Sequence, residues 1–161
     1  NVFDDFEMGR ISDQQFRDYI REVSAKKLTD EQIDTAWNAM LLDLPVERIR
    51  LLQRLGERYP IYLYSNTNSI HLKAFRQIIK AAHGHELLLE DVFLKTYYSH
   101  ELGMRKPNQD GFLKILANHE LKAESTLFID DSEQHLVGAK SVGLQTVWLK
   151  DNTIEELFKQ K

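Results

Sequence analysis

The sequence predicts an α/β protein whose mostly parallel strands are covered on both faces by helices. Three observations carry that prediction. Brief apolar runs at residues 61–64, 93–98, 126–129 and 146–149 alternate with longer stretches of helical periodicity, the order expected of βαβ units. The run Thr126-Leu127-Phe128-Ile129 is apolar or β-favouring throughout, as in strands buried on both faces. It passes straight into Asp130-Asp131 and then Ser132, which places two adjacent carboxylates at the carboxyl end of a core strand, where open α/β sheets bind their ligands.

Composition narrows the function classes. A chain of 161 residues suits one domain, or one with a small appendage, and is long enough to bury a core. The 25 acidic and 21 basic residues give a net charge of −4, which argues against nucleic acid or an anionic membrane as the main partner. The absence of cysteine excludes a disulfide framework and thiol chemistry and suits a reducing cytoplasm, where the protein is expected to reside. No apolar run approaches transmembrane length and no signal-peptide pattern is present. The first residue is Asn1 rather than methionine.

Taken in order, residues 1–43 read as helical. Ser12-Asp13-Gln14-Gln15 and Thr29-Asp30-Glu31-Gln32 are capping boxes. Phe16, Tyr19, Ile20 and Val23 follow the first on one helical face; Ile33, Ala36, Trp37, Met40 and Leu41 follow the second. Helix–helix core is the expected role of these aromatics. Pro45 suits the first turn of another helix, with Val46, Ile49, Leu52 and Leu55 facing inward up to Gly56.

From Tyr59 the rhythm changes. Ile61-Tyr62-Leu63-Tyr64 reads as a short buried strand ending in Ser65-Asn66-Thr67-Asn68, with a helix to about residue 82. His83-Gly84-His85-Glu86 reads as a loop; its two histidines invite a metal reading, but no further ligand pattern accompanies them. Residues 93–98 lead into Ser99-His100, and Leu102-Gly103-Met104-Arg105-Lys106-Pro107 precedes a helix carrying Phe112, Ile115 and Leu116. After the acidic strand end, Leu136, Ala139 and Lys140 recur at helical spacing, and Gly143 stands where a left-handed C-cap falls. Asn152-Thr153-Ile154-Glu155 caps a closing helix.

Three strand ends or loops therefore carry polar groups: Ser65-Asn66, Lys106 and Asp130-Asp131. A hydroxyl and an amide hold phosphoryl oxygens, a lysine offsets their charge, and paired carboxylates need a cation to stay ionised together, with Mg²⁺ the hard, oxygen-seeking candidate. Phosphoryl transfer requires mainly positioning and charge stabilisation. Each piece also has a plainer reading: Ser65 and the aspartates as helix caps, and Lys106 as a solvated loop residue.

The ordered set Leu63-Tyr64-Ser65-Asn66-Thr67-Asn68, Ser99-x-x-Leu102-Gly103-x-x-Lys106-Pro107 and Phe128-Ile129-Asp130-Asp131-Ser132 resembles motifs two, three and four of the haloacid dehalogenase superfamily. The likeness is closest to its helical-cap phosphatases, and Gly103–Pro107 with Gly9-Arg10-Ile11-Ser12-Asp13 is similar to a bacterial glucose-1-phosphate phosphatase branch. The resemblance implies a Rossmann-like core at residues 44–161 and part of a helical cap at 1–43. It implies a Mg²⁺-dependent phosphatase that forms an aspartyl-phosphate from a small sugar phosphate. Ser65 and Asn66 would bind the phosphoryl group and Lys106 would offset charge. Asp131 would be the main Mg²⁺ ligand, with Asp130 a ligand or a neighbour of the ligands. His135 stands where such proteins often have asparagine.

One departure has larger consequences. The family's nucleophile and general acid/base are aspartates of a D-x-D motif ending the first, central strand. Asp4-Asp5 has the wrong spacing and no apolar strand before it. The chain is therefore expected to begin inside the cap, to lack the central strand, to be inactive alone and to self-associate through unpaired sheet edges. A remnant that serves only as a binding module is the alternative. A phospho-receiver domain is disfavoured because its acidic pair precedes its Lys-Pro, the reverse of the order here.

Overall fold

The computed structural model describes residues 1–151 and 153–159; Asn152, expected to help cap the last helix, lies outside the described residues. The chain forms two units, Asn1–Gly103 and Met104–Lys161.

The first unit opens with α1 (Val2–Glu7), α2 (Asp13–Ser24) and α3 (Asp30–Asn38). Both expected capping boxes form: the Ser12 hydroxyl accepts the Gln15 N–H while the Gln15 side chain accepts the Ser12 N–H, and Thr29 and Gln32 repeat the exchange. Satisfying otherwise orphaned N–H groups fixes where each helix starts. The apolar faces that follow meet in an aromatic core. Phe6 and Phe16 stack with centroids 4.3 Å apart, Trp37 lies 4.8 Å from Phe16, and Ile70 closes the cluster. Because Phe16 is fully buried among rings, Phe16→Ala is expected to lower unfolding free energy by about 3–5 kcal/mol, measurable by urea titration.

Ala36, Met40 and Val23 of the expected stripes are exposed rather than packed in this core. Met40 is 67 % exposed because α3 ends at Asn38, and Val23 is 59 % exposed on the outer side of α2. Helical spacing fixes direction only while the helix lasts.

The unit continues with α4 (Val46–Gly56), β1 (Tyr62–Ser65), α5 (Ser69–His83), α6 (Leu88–Val92), β2 (Lys95–Tyr98) and α7 (Ser99–Leu102). β1 and β2 run parallel, in register from Tyr62 opposite Lys95 to Ser65 opposite Tyr98. Ile49, Ile79 and Leu89 form a second core against which Leu63 and Phe75 pack. The turn after α1 seats on α7. Gly9 has φ +65°, and a Cβ there would lie 2.2 Å from the His100 carbonyl oxygen, so only glycine permits that approach.

The second unit holds α8 (Gln109–Asn118), a 3-10 turn (Ala123–Ser125), β3 (Leu127–Asp130), α9 (Glu133–Ser141), β4 (Gln145–Trp148) and α10 (Ile154–Leu157). β3 and β4 are parallel, with Leu127 opposite Gln145 and Asp130 opposite Trp148. Phe112, Ile115 and Leu116 of α8 and Leu136 and Ala139 of α9 are buried as their spacing requires, while Lys140 is exposed. Gly143, at φ +89°, follows α9. A capping box of Thr153 and Glu156 starts α10.

The expectation that residues 126–129 form a strand buried on both faces is corrected. Leu127 is 49 % exposed and the other three residues of β3 are half-buried. Among the described residues each strand has one strand neighbour, giving the two pairs β1–β2 and β3–β4. The continuous apolar run therefore reports an environment that a two-stranded pair does not supply. Among the described residues no helix is long and apolar enough to cross a membrane.

Candidate functional site

The acidic end of β3 is built by the strand, the turn after it and the loop before α8. Asp130 is the last residue of β3, and its backbone oxygen accepts the Leu149 N–H from the end of β4. Its side chain turns back on the chain. Oδ1 accepts the Ser132 N–H at 2.8 Å and the His135 Nδ1 at 3.0 Å, while Oδ2 accepts Lys106 Nζ at 2.7 Å. As expected Ser132 is the N-cap of α9, yet its hydroxyl makes no capping bond; the Asp130 carboxylate takes over that end of the helix, which suits an anion.

Lys106 is only 7 % exposed, rare for lysine unless its charge is paired. It is paired twice over. Its ammonium touches the Asp130 carboxylate and stands 5.4 Å from the centroid of the Phe128 ring, a favourable cation–π geometry. Phe128 is held in turn by an edge-to-face contact with Phe112 at 5.1 Å. The solvated-loop reading of Lys106 is thus excluded: the residue is anchored to the strand that carries the carboxylates.

Burial alone would push the Asp130 carboxyl up, but the Lys106 charge and hydrogen bond, aided by Ser132 and His135, hold it below the usual carboxylate range. A depressed value stabilises the fold above the ordinary carboxyl range, about pH 4, and that contribution is lost as pH falls through the lower folded-state value. Urea midpoints should accordingly fall on acidification below about pH 4, and Asp130→Asn should flatten that part of the profile.

Asp131 differs from its neighbour. It is exposed, its backbone oxygen accepts the Trp148 indole N–H at 3.0 Å, and its carboxylate makes no hydrogen bond or ion pair with the described residues. Its lone pairs are open to a hard cation, whereas both Asp130 oxygens are already engaged by donors. Among the described residues no group of three or more His, Asp or Glu side chains is arranged around a common point. Mg²⁺ commonly takes one or two carboxylates and completes its shell with waters and phosphate oxygens. The histidine alternative fails: His83 Nε2 bonds the Leu44 carbonyl oxygen and His85 bonds Asp91, so the two rings serve separate loops.

In the first unit Ser65 ends β1, and Asn66 and Thr67 form the turn into α5. That turn is clamped from beneath. The fully buried Ser99 hydroxyl accepts the Thr67 N–H and donates to the Thr67 carbonyl oxygen, both at 2.9 Å. Asn68, 1 % exposed, caps α5 through the His71 N–H and receives the Trp37 indole N–H at 3.4 Å. His71 donates Nε2–H to the Trp37 carbonyl oxygen and accepts Asn68 Nδ2–H at Nδ1; the carbonyl has no proton to give, so the roles are fixed. Ser65 and Asn66 are therefore carried by a rigid, cross-linked turn.

Sequence reasoning singled out Lys106, Asp130 and Asp131, and the structure joins the first two directly. It did not find the Phe128 ring under Lys106, the Ser99 clamp or the bond from His135. The His135 signal was present, a proton-donating side chain in the first turn of the helix after the strand, but only the folded first turn brings it back to Asp130.

A model of the haloacid dehalogenase-like hydrolase family matches residues 80–149. The chain is 26 % identical over 145 residues to a D-ribitol-5-phosphate phosphatase of Bacteroides thetaiotaomicron, covering 90 % of this chain and 69 % of that protein. It is 30 % identical over 118 residues to a glyceraldehyde 3-phosphate phosphatase of Pyrococcus furiosus, covering 73 % of this chain and 46 % of the relative. Among solved structures, a HAD family enzyme of Bacteroides thetaiotaomicron, an aspartate-to-alanine variant in complex with magnesium and inorganic phosphate, is 36 % identical with a TM-score of 0.87; the match covers 99 % of this chain and 79 % of the other.

Proposed function

The chain belongs to the haloacid dehalogenase-like hydrolases, and from that premise we propose that the protein is a Mg²⁺-dependent phosphatase acting on a small sugar or polyol phosphate through an aspartyl-phosphate. The observation that carries this reading is the buried Lys106–Asp130 pair next to the open Asp131 carboxylate. The substrate class follows the ribitol and glyceraldehyde phosphates of the relatives.

Each group has a role. Asp131 holds the cation, with Asp130 beside it. When bound there, Mg²⁺ supplies a Lewis acid that offsets phosphoryl charge. Lys106 presents a fixed positive charge to the phosphoryl group and its nucleophile, pre-oriented by Asp130. Ser65 donates its hydroxyl to a phosphoryl oxygen and the Asn66 backbone offers a further donor. Residues 1–43 serve as part of a helical cap and 44–161 as the catalytic core.

The reading places the nucleophile and the general acid/base outside residues 1–161. No D-x-D follows an apolar strand in this sequence, and β1 and β3 each have a single strand neighbour among the described residues. The test is phosphate release from a panel of sugar and polyol phosphates by the full-length protein, with Mg²⁺ and with a chelator. Turnover of at least one of them only with Mg²⁺ is expected, and none from residues 1–161 alone, since losing a covalent nucleophile removes several orders of magnitude in rate. Turnover by residues 1–161 alone would place the nucleophile within them and overturn the mechanism.

A further inference from the structure

The acidic strand end contains a side chain that the proposed chemistry does not use. His135 sits in the first turn of α9, its side chain 14 % exposed, with Nδ1 3.0 Å from Asp130 Oδ1. We propose that His135 is a positioning residue: its Nδ1–H fixes the plane of the Asp130 carboxylate, and thereby the place of the Lys106 ammonium. The inference rests on the phosphatase reading for its consequence in catalysis, though not for the contact itself.

A carboxylate turns about its Cβ–Cγ bond, and a single donor on one oxygen leaves that rotation soft. Here Oδ1 is held by the Ser132 N–H and the His135 Nδ1 together, which leaves Oδ2 directed at Lys106 Nζ. Ionised carboxylate oxygens only accept, so the proton in the His135 contact belongs to Nδ1. The pair is shielded, Asp130 and Lys106 each having side chains only 8 % exposed, and hydrogen bonds to a charged group are stronger where water is excluded.

The backbone supports the ring. The His135 N–H donates to the Ser132 carbonyl oxygen at 3.1 Å, so the turn whose N–H binds Oδ1 is the same turn that aims the imidazole. His135 therefore reaches the reacting region through two contacts, Asp130 and then Lys106. Misplacement of a charge by a fraction of an ångström is felt in phosphoryl transfer, where positioning supplies most of the acceleration.

Chemistry also dictates which substitution preserves the function. In histidine Nδ1 is attached to Cγ, and in asparagine Nδ2 is attached to Cγ. His135→Asn therefore keeps a donor at the same number of bonds from the backbone, while His135→Ala keeps none.

The test compares the full-length protein with its His135→Ala and His135→Asn variants. His135→Ala is expected to lower kcat about 10–100-fold, the usual effect of losing a residue that orients a metal-site group, and His135→Asn to recover most of that loss. Two-bond ¹H–¹⁵N NMR should show a proton on Nδ1 of the ring. Equal impairment of both variants would assign His135 a packing role, and wild-type kcat in His135→Ala would remove it from catalysis; either overturns the proposal. A neutral ring protonated at Nε2 would overturn the contact itself. A wild-type protein that releases no phosphate, with the ring still protonated at Nδ1, would refute the phosphatase reading and leave the contact standing.

Discussion

Lys106→Ala is expected to destabilise the protein by about 3–5 kcal/mol and to abolish phosphate release by the full-length protein, because it strips a buried carboxylate of its counter-charge. Asp130 keeps the Ser132 and His135 donors, which places the stability loss toward the lower end of that range. Two effects are mixed in this variant, and a second separates them. Lys106→Met with Asp130→Asn removes both charges, while the asparagine oxygen still accepts from Ser132 and His135. Stability should recover in part, since no charge is left buried and unpaired while the asparagine Nδ2–H faces an apolar methionine, but activity should not. Urea midpoints and phosphate release on the same preparations decide it. A loss below about 1 kcal/mol for Lys106→Ala would mean that the pair behaves as a surface salt bridge.

The second large effect is expected at Gly138, inside α9. Helix propensity alone says that Gly138→Ala should stabilise, by about 0.5–1 kcal/mol. Packing says the reverse. A Cβ at Gly138 would lie 2.0 Å from the Pro107 carbonyl oxygen and 2.9 Å from its carbonyl carbon, both backbone atoms. Neither helix nor loop can yield by an ångström without disturbing its own bonds, so overpacking prevails and the net loss is expected to be about 3 kcal/mol. Pro107 follows Lys106 directly, so the same substitution should displace the lysine and reduce activity. Gly84→Ala is the control. At φ +79° with open space around it, it meets only the left-handed backbone penalty, about 1–2 kcal/mol. A stabilised Gly138→Ala variant would show that α9 and the Pro107 loop are not in contact in solution.

Local structure is legible in the sequence because local physics sets it. Both N-terminal capping boxes form as written, and the strands at residues 61–64, 126–129 and 146–149 are displaced by a single residue at most at each end. Longer-range facts were less visible. Leu87-Leu88-Leu89 carries too short a pattern to announce α6, and Ser99–Leu102 forms one helical turn that no periodicity could reveal. Met40 continues the spacing of α3 after the helix itself has ended. At the site, residue types indicated charge and metal chemistry. That Lys106 is buried against a carboxylate 24 positions away, over an aromatic ring, depends on the packing of α8 beneath β3. His135 became a partner of Asp130 only once the first turn of α9 was in place.

In the proposed function Asp131 holds the Mg²⁺ on which turnover depends, beside the Lys106–Asp130 pair. Asp131 is exposed and its carboxylate has no partner among the described residues, so Asp131→Asn should leave stability within about 0.5 kcal/mol of wild type. The most direct measurement is a Mg²⁺ titration of phosphate release by the full-length protein and its Asp131→Asn variant, made with the substrate the wild type turns over best. The wild type should rise from no activity to saturation with added Mg²⁺, and the folded variant should stay inactive at every concentration. Full activity in the presence of a chelator, or an Asp131→Asn variant with an unchanged Mg²⁺ response, would contradict the assignment.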